Sequence, residues 1–216
     1  MLKIDGVTYR YKGSDKNVLS NLSVSFERGK LYSVVGPSGS GKTTLLSIMA
    51  GLDRPTSGDV FIEDESLSTY DLSQYRSKRV AMVFQAFHLF PFLTALENVS
   101  FPLEAQGVSK SEAQSKAKEY LENLEISDDK HNRYPANLSG GEQQRVSIAR
   151  AIITGAKVIL ADEPTGNLDE ETGKLIVETL KKLAHEQDCC VIIVTHNLDI
   201  AETSDVVYRM SYGKLK

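Results

Sequence analysis

The sequence has no excess of positive charge. Its 25 Lys and Arg stand against 29 Asp and Glu, a formal charge of -4, so no basic field is present to hold a nucleic-acid backbone and no nucleic-acid partner is expected. Cysteine is scarce: Cys189 and Cys190 are the only two, adjacent at the head of the apolar run Cys-Cys-Val-Ile-Ile-Val. That number excludes a disulfide scaffold, and the context reads as small buried side chains of a strand in a reducing compartment. No apolar stretch approaches the ~18 residues of a membrane span, and the start, Met-Leu-Lys-Ile-Asp-Gly, lacks the apolar region of a signal peptide, so a cytosolic location is expected. Internal repeats, low-complexity tracts and Gly/Ser linkers are also missing. What remains is a chain of ordinary globular composition, expected to form one domain over residues 1–216.

Hydrophobic periodicity divides this chain into a β-rich start, a strand-loop-helix centred on Lys42, a helical middle and a βαβ end. Alternation over Leu2–Arg10 and Leu22–Phe26 predicts an antiparallel edge sheet. Short apolar runs at Leu31–Val35, Val80–Phe84, Val158–Ala161 and Val191–Thr195 are of the kind buried on both faces of a parallel sheet. Residues 86–156 read as an inserted helical subdomain. Within it Ser109-Lys-Ser-Glu112 has the pattern of a capping box, followed by Ala113, Ala117, Tyr120, Leu121 and Leu124 at helical spacing.

Between the run ending at Val35 and the helical Leu45–Ala50 lies Gly36-Pro-Ser-Gly-Ser-Gly-Lys-Thr-Thr44, a phosphate-loop pattern in its required strand-loop-helix frame. Gly36, Pro37, Ser38, Gly39, Ser40 and Gly41 form the loop. Its glycines let backbone N–H groups converge on an anion, and the helix beyond adds its positive end. Lys42 would reach the β- and γ-phosphates, Thr43 would ligate magnesium, and Thr44 closes the motif.

A second apolar run, Val158-Ile-Leu-Ala-Asp-Glu163, ends in two carboxylates. Strand alternation would let them do separate work: Asp162 in the magnesium shell, Glu163 polarising the attacking water. The Asn-Lys-x-Asp guanine motif is absent, which favours ATP over GTP. Tyr9 and Tyr11 lie in the edge sheet, and Tyr11 is the preferred ring to stack on adenine.

With Leu138-Ser-Gly-Gly-Glu-Gln-Gln-Arg145 the chain resembles an ATP-binding cassette (ABC) ATPase over nearly its full length. The motifs run in that family's order: Tyr11, the phosphate loop, Gln85, the Ser139-Gly140-Gly141 signature, the carboxylate strand, Asn167-Leu-Asp169 and His196. The resemblance implies a P-loop α/β core with a mostly parallel sheet, an N-terminal antiparallel β subdomain and a helical insertion. It implies two cassettes facing head to tail, with ATP between the phosphate loop of one and Ser139 and Gly141 of the other, and Asp169 at the seam. His196 would contact the γ-phosphate and order the water beside Glu163. Gln85 would link magnesium and water to the helical subdomain. From the residues alone, Ser139–Gly141 opens a helical run over Glu142–Ile153, a second anion-binding helix end.

Gln85-Ala-Phe-His-Leu-Phe-Pro-Phe-Leu-Thr-Ala-Leu-Glu-Asn-Val99 and Pro164-Thr-Gly-Asn-Leu-Asp169 are similar to the cassettes of macrolide, lipoprotein and antimicrobial-peptide exporters. That likeness implies a membrane transporter as partner and a place on the inner face of the cell membrane; with no span in this sequence, the permease is expected to be a separate chain. Phe84, Phe87, Phe90 and Phe92 fall together and form either core or a groove for a permease helix. Two other uses of the same ATPase stay open at this level: a cassette regulating cell division, and a soluble ATPase acting on nucleic acid or ribosomes. Lys42 and Ser139 are only 97 residues apart, which leaves no room for the long coiled coil of DNA-maintenance relatives.

Overall fold

A computed structural model describes residues 1–216. Strands β1 (Leu2–Tyr9), β2 (Leu19–Phe26), β4 (Ser57–Ile62) and β5 (Glu65–Ser66) make an antiparallel sheet in the order β2-β1-β4-β5. Along β1 the buried residues are Leu2, Ile4, Val7 and Tyr9. The alternation slips by one between Ile4 and Val7, where the register shifts on both flanking strands. A bulge of this kind turns the strand while keeping its apolar side chains on one face.

The second sheet has the order β10-β9-β3-β8-β7-β6, built from β3 (Lys30–Val35), β6 (Val80–Phe84), β7 (Val158–Asp162), β8 (Cys190–Thr195), β9 (Val206–Ser211) and β10 (Lys214–Leu215). All neighbours are parallel except β10 on β9. β8 is buried at every position, as expected of a strand covered on both faces. Cys190 opens it and Cys189 precedes it; both are buried free thiols, and burial pushes the Cys190 pKa up to about 12.

Alternate strand residues feed two separate cores. Leu31, Val83, Ile159, Ala161, Val191 and Ile193 face α3 (Ala95–Ala105), α4 (Lys110–Asn123), α6 (Gly140–Ile152) and α7 (Glu170–Gln187). Tyr32, Val34, Leu160, Ile192 and Val194 face the antiparallel sheet, α1 (Lys42–Met49) and Tyr75 of α2 (Leu72–Lys78). α5 (Asp128–His131) and a single 3-10 turn at Pro135–Asn137 lead into α6, and α8 (Leu198–Glu202) follows β8.

Between β6 and β7 the chain is helical, and α4 buries Ala113, Ala117 and Leu121. Only half of the expected capping box forms there: Ser109 accepts from the Glu112 backbone N–H, without the reciprocal bond. Complete boxes close on Thr94–Glu97 and Ser139–Glu142 instead.

Candidate active site

The phosphate loop turns from β3 into α1 under tight constraint. A Cβ on Gly36 would fall 2.2 Å from the Met210 carbonyl oxygen of β9, so no larger residue fits without moving that strand. Gly41 caps α1 with φ +105°, a left-handed conformation that favours glycine. The Lys42 ammonium lies over the loop, donating to the carbonyls of Gly36 at 2.8 Å and Pro37 at 3.1 Å. Ser40 Oγ is buried in the same loop without a hydrogen-bond partner, a polar atom left for a ligand to satisfy.

The loop floors a cleft of about 480 Å³ whose walls include Tyr11, Ser38, Gly39, Lys42, Thr43, Thr44, Asp162, Glu163 and His196. Ten residues singled out in the sequence, Gly41 among them, thus meet around one space. The Thr43 hydroxyl lies 3.4 Å from Asp162 Oδ1, at the end of β7. Burial, and secondarily the neighbouring Glu163 carboxylate, raises the Asp162 pKa above the ordinary aspartate value, while the Thr43 hydroxyl and Lys42 oppose that shift. A half-buried carboxylate and a hydroxyl aimed together suit a small oxygen-seeking cation that brings its other ligands with it.

Glu163 is not a strand residue. It lies one position past β7 with φ 47°, so the separation of the two carboxylates comes from a left-handed turn rather than from strand alternation. Its N–H donates to Val194 O, and Gly166 N–H donates back to Glu163 O. His196 Nδ1 is 2.9 Å from Glu163 Oε1, and the Thr195 hydroxyl is 3.4 Å from Oε2. Parallel pairing of β7 with β8 produces this meeting, since Asp162 lies opposite Val194.

Tyr11 is half exposed at the cleft edge. Its hydroxyl is 2.9 Å from Thr44 Oγ1, and its ring stands edge-on to Tyr9 at 5.1 Å.

Other expected residues lie outside this cleft. Gln85 follows β6, but its amide donates to Asn167 Oδ1, and Asn167 donates back to the Gln85 carbonyl. Ser139 is itself the N-cap of α6, which begins at Gly140 rather than Glu142; its hydroxyl accepts from Glu142 N–H, and Glu142 Oε2 accepts from Ser139 N–H at 2.8 Å. A Cβ on Gly141 would meet Thr172 Cγ2, and Gly140 faces Leu168 and Asn167 O. Asp169 caps α7 through Thr172, whose backbone bond holds the carboxyl below the usual aspartate range. Signature and Asp169 therefore meet at Thr172, outside the lining of the phosphate cleft.

Three contributors escaped the sequence reading. Thr195 supports Glu163. Gln144, fully buried, donates from Nε2 to Pro164 O at 2.8 Å and ties α6 to the residue after Glu163. Asn98, also buried, donates to the carbonyls of Phe90, Leu93 and Thr94 and accepts from Phe90 N–H, fixing the aromatic loop. A Thr-x-x-Glu pattern at Thr94, not used in the sequence analysis, is the signal that could have placed Asn98 on α3; nothing local points to Gln144.

Comparison with known proteins agrees with this geometry. The family described as ABC transporter matches residues 19–166. An uncharacterized ABC transporter ATP-binding protein of Bacillus subtilis, YclH, is 42% identical over 213 residues, covering 99% of this chain and 94% of that protein. The lipoprotein-releasing system ATP-binding protein LolD of Chromohalobacter salexigens is 42% identical over 220 residues, covering 100% of this chain and 92% of LolD. Among solved structures, the ATP-binding cassette MJ0796, described as a dimer in a post-hydrolysis state bound to ADP and Pi, superposes with a TM-score of 0.91 at 39% identity, covering 100% of this chain and 97% of that one. A phosphate loop, two carboxylates and a histidine around one cleft, in this fold and with these relatives, identify the chain as a member of the ABC transporter family: its ATP-hydrolysing cassette.

Proposed function

We propose that two copies of this cassette close around ATP and deliver the work of hydrolysis to a separately encoded membrane permease, in the manner of an exporter. The observation that carries the reading is the cleft in which Lys42, Thr43, Asp162, Glu163 and His196 converge. Lys42 and the loop N–H groups hold the β- and γ-phosphates, and Tyr11 stacks on the adenine. Glu163 accepts the proton of the attacking water, and His196 keeps that carboxylate and the water aligned. Thr43 and Asp162 would hold magnesium, which neutralises developing phosphate charge when bound. Gln85, joined to Asn167, reports the state of the cleft to the helical subdomain, residues 86–156.

Ser139, Gly140, Gly141 and Asp169 lie on a surface of their own, which suits action on the nucleotide of a second copy. The dimer described for MJ0796 supports that arrangement. For the permease, the support is the name of LolD and a groove of about 660 Å³ lined by Met82, Phe90, Phe101, Pro102 and Arg150. Phe92 beside it is 88% exposed, whereas Phe84 and Phe87 are half-buried. No helix is long and apolar enough to cross a membrane, so the proposed place on the inner face of the cell membrane comes through the permease.

Glu163→Gln tests the reading, since it keeps size and hydrogen bonding but removes the base. Hydrolysis should fall by roughly 100-fold or more, while Mg-ATP, no longer consumed, should shift the protein to a dimer in size-exclusion chromatography. Unchanged hydrolysis and a monomer with or without Mg-ATP would overturn both the catalytic role and the two-copy site.

A further inference from the structure

We propose that the Tyr11 hydroxyl is a positioning group for the phosphates, acting through Thr44, in addition to any stacking of its ring on the base. This rests on the phosphate-loop reading and adds a residue to it. Tyr11 Oη and Thr44 Oγ1 are 2.9 Å apart, and neither oxygen has another hydrogen-bond partner. Both residues line the cleft over the loop. A phenol is the more acidic of the two hydroxyls, so Tyr11 donates and Thr44 accepts. That leaves the Thr44 proton free, on an oxygen whose own lone pair is already engaged, and the hydroxyl is then polarised as a donor to an anion.

Two further contacts fix the geometry. Thr44 is buried in the first turn of α1, so its hydroxyl has little freedom to turn elsewhere. The Tyr11 ring is braced edge-on by Tyr9, which holds the phenol oxygen over Thr44 rather than in solvent. The base-reading edge of the site and its phosphate floor are thereby joined by a single hydrogen bond between the segment that follows β1 and the first turn of α1.

Inorganic tripolyphosphate separates this role from stacking, because it presents the phosphates without a base. By calorimetric titration, Tyr11→Phe should weaken ATP and tripolyphosphate by the same factor, about 3- to 10-fold, the scale of one net hydrogen bond. Thr44→Val should do likewise, Thr44→Ser should restore binding, and Tyr11→Phe added to Thr44→Val should cost nothing more. Unchanged tripolyphosphate affinity in Tyr11→Phe, or additive losses in the double variant, would overturn the inference while leaving the phosphate loop in place. Tripolyphosphate bound equally well by Lys42→Ala, or not bound by a wild type that binds ATP, would overturn the underlying reading and this inference with it.

Discussion

His196 Nδ1 lies 2.9 Å from Glu163 Oε1, joining residues at the ends of two adjacent parallel strands. The imidazole side chain is 74% exposed and the carboxylate 19%, so the histidine is the solvent-facing half of the pair. With Nδ1 engaged, Nε2 is the nitrogen left for a ligand. His196→Ala should therefore lower ATP turnover by about 100-fold, the scale of a misaligned general base, with ATP affinity changed far less. Steady-state ATPase assays beside calorimetric titration read the two separately, and an equal loss in both would make His196 a binding residue only.

Lys42 is the one ammonium lying over the loop, held by two loop carbonyls. Lys42→Ala removes the point charge on the phosphates and has no substitute among the cleft walls. Purified Lys42→Ala should bind ATP weakly and turn it over at background rate; near wild-type turnover would sink the assignment.

Ser139→Arg should block hydrolysis while the isolated monomer still binds ATP, because the signature lies outside its own phosphate cleft. Mixed with Lys42→Ala it should regain part of the lost activity, since one composite site then has both an intact loop and an intact signature. If Ser139→Arg lost monomer binding as completely as Lys42→Ala, action on the second copy would be refuted.

Glu142 gives a pH-dependent test of how the signature helix is held. It accepts from Lys130 Nζ at 2.6 Å and from the Ser139 N–H, and these bonds, that to Lys130 foremost, lower its pKa below the usual glutamate value. A carboxyl whose folded pKa is depressed contributes stability in full above its unfolded pKa and loses it as pH falls through the folded value. Glu142→Gln should thus cost about 1 kcal/mol at pH 7, a penalty that vanishes at pH below the folded pKa. Urea denaturation at both pH values measures it, and a pH-independent difference would assign the loss to packing.

Most of the cleft was legible because phosphate chemistry demands residue types at fixed spacing. Val35, Gly36 to Gly41, Lys42 to Thr44 and Asp162 fall where a strand, a loop, a helix start and a strand end must be. The core strands were legible too, since runs such as Val191–Val194 are apolar at every position. Period alone could not show the left-handed turn at Glu163, because a residue past a strand end is set by its backbone partners, Val194 O and Gly166 N–H. Nor could it show Gln85 turned toward Asn167 or Gln144 joined to Pro164, which are contacts between segments distant in sequence. At Ser109 the pattern was right and its strength was not, since Glu112 leaves the second bond unmade.

The conformation of Glu163 sets chemistry against robustness. A non-glycine residue at φ 47° carries about 1 kcal/mol or more of steric cost that glycine would not. Glycine is the side chain the backbone there would tolerate best, and under the role proposed for Glu163 it is the one that would end proton transfer. A screen for heat resistance alone would drift toward a sturdier, inert protein at this position, so retention of glutamate has to be imposed by selection for turnover.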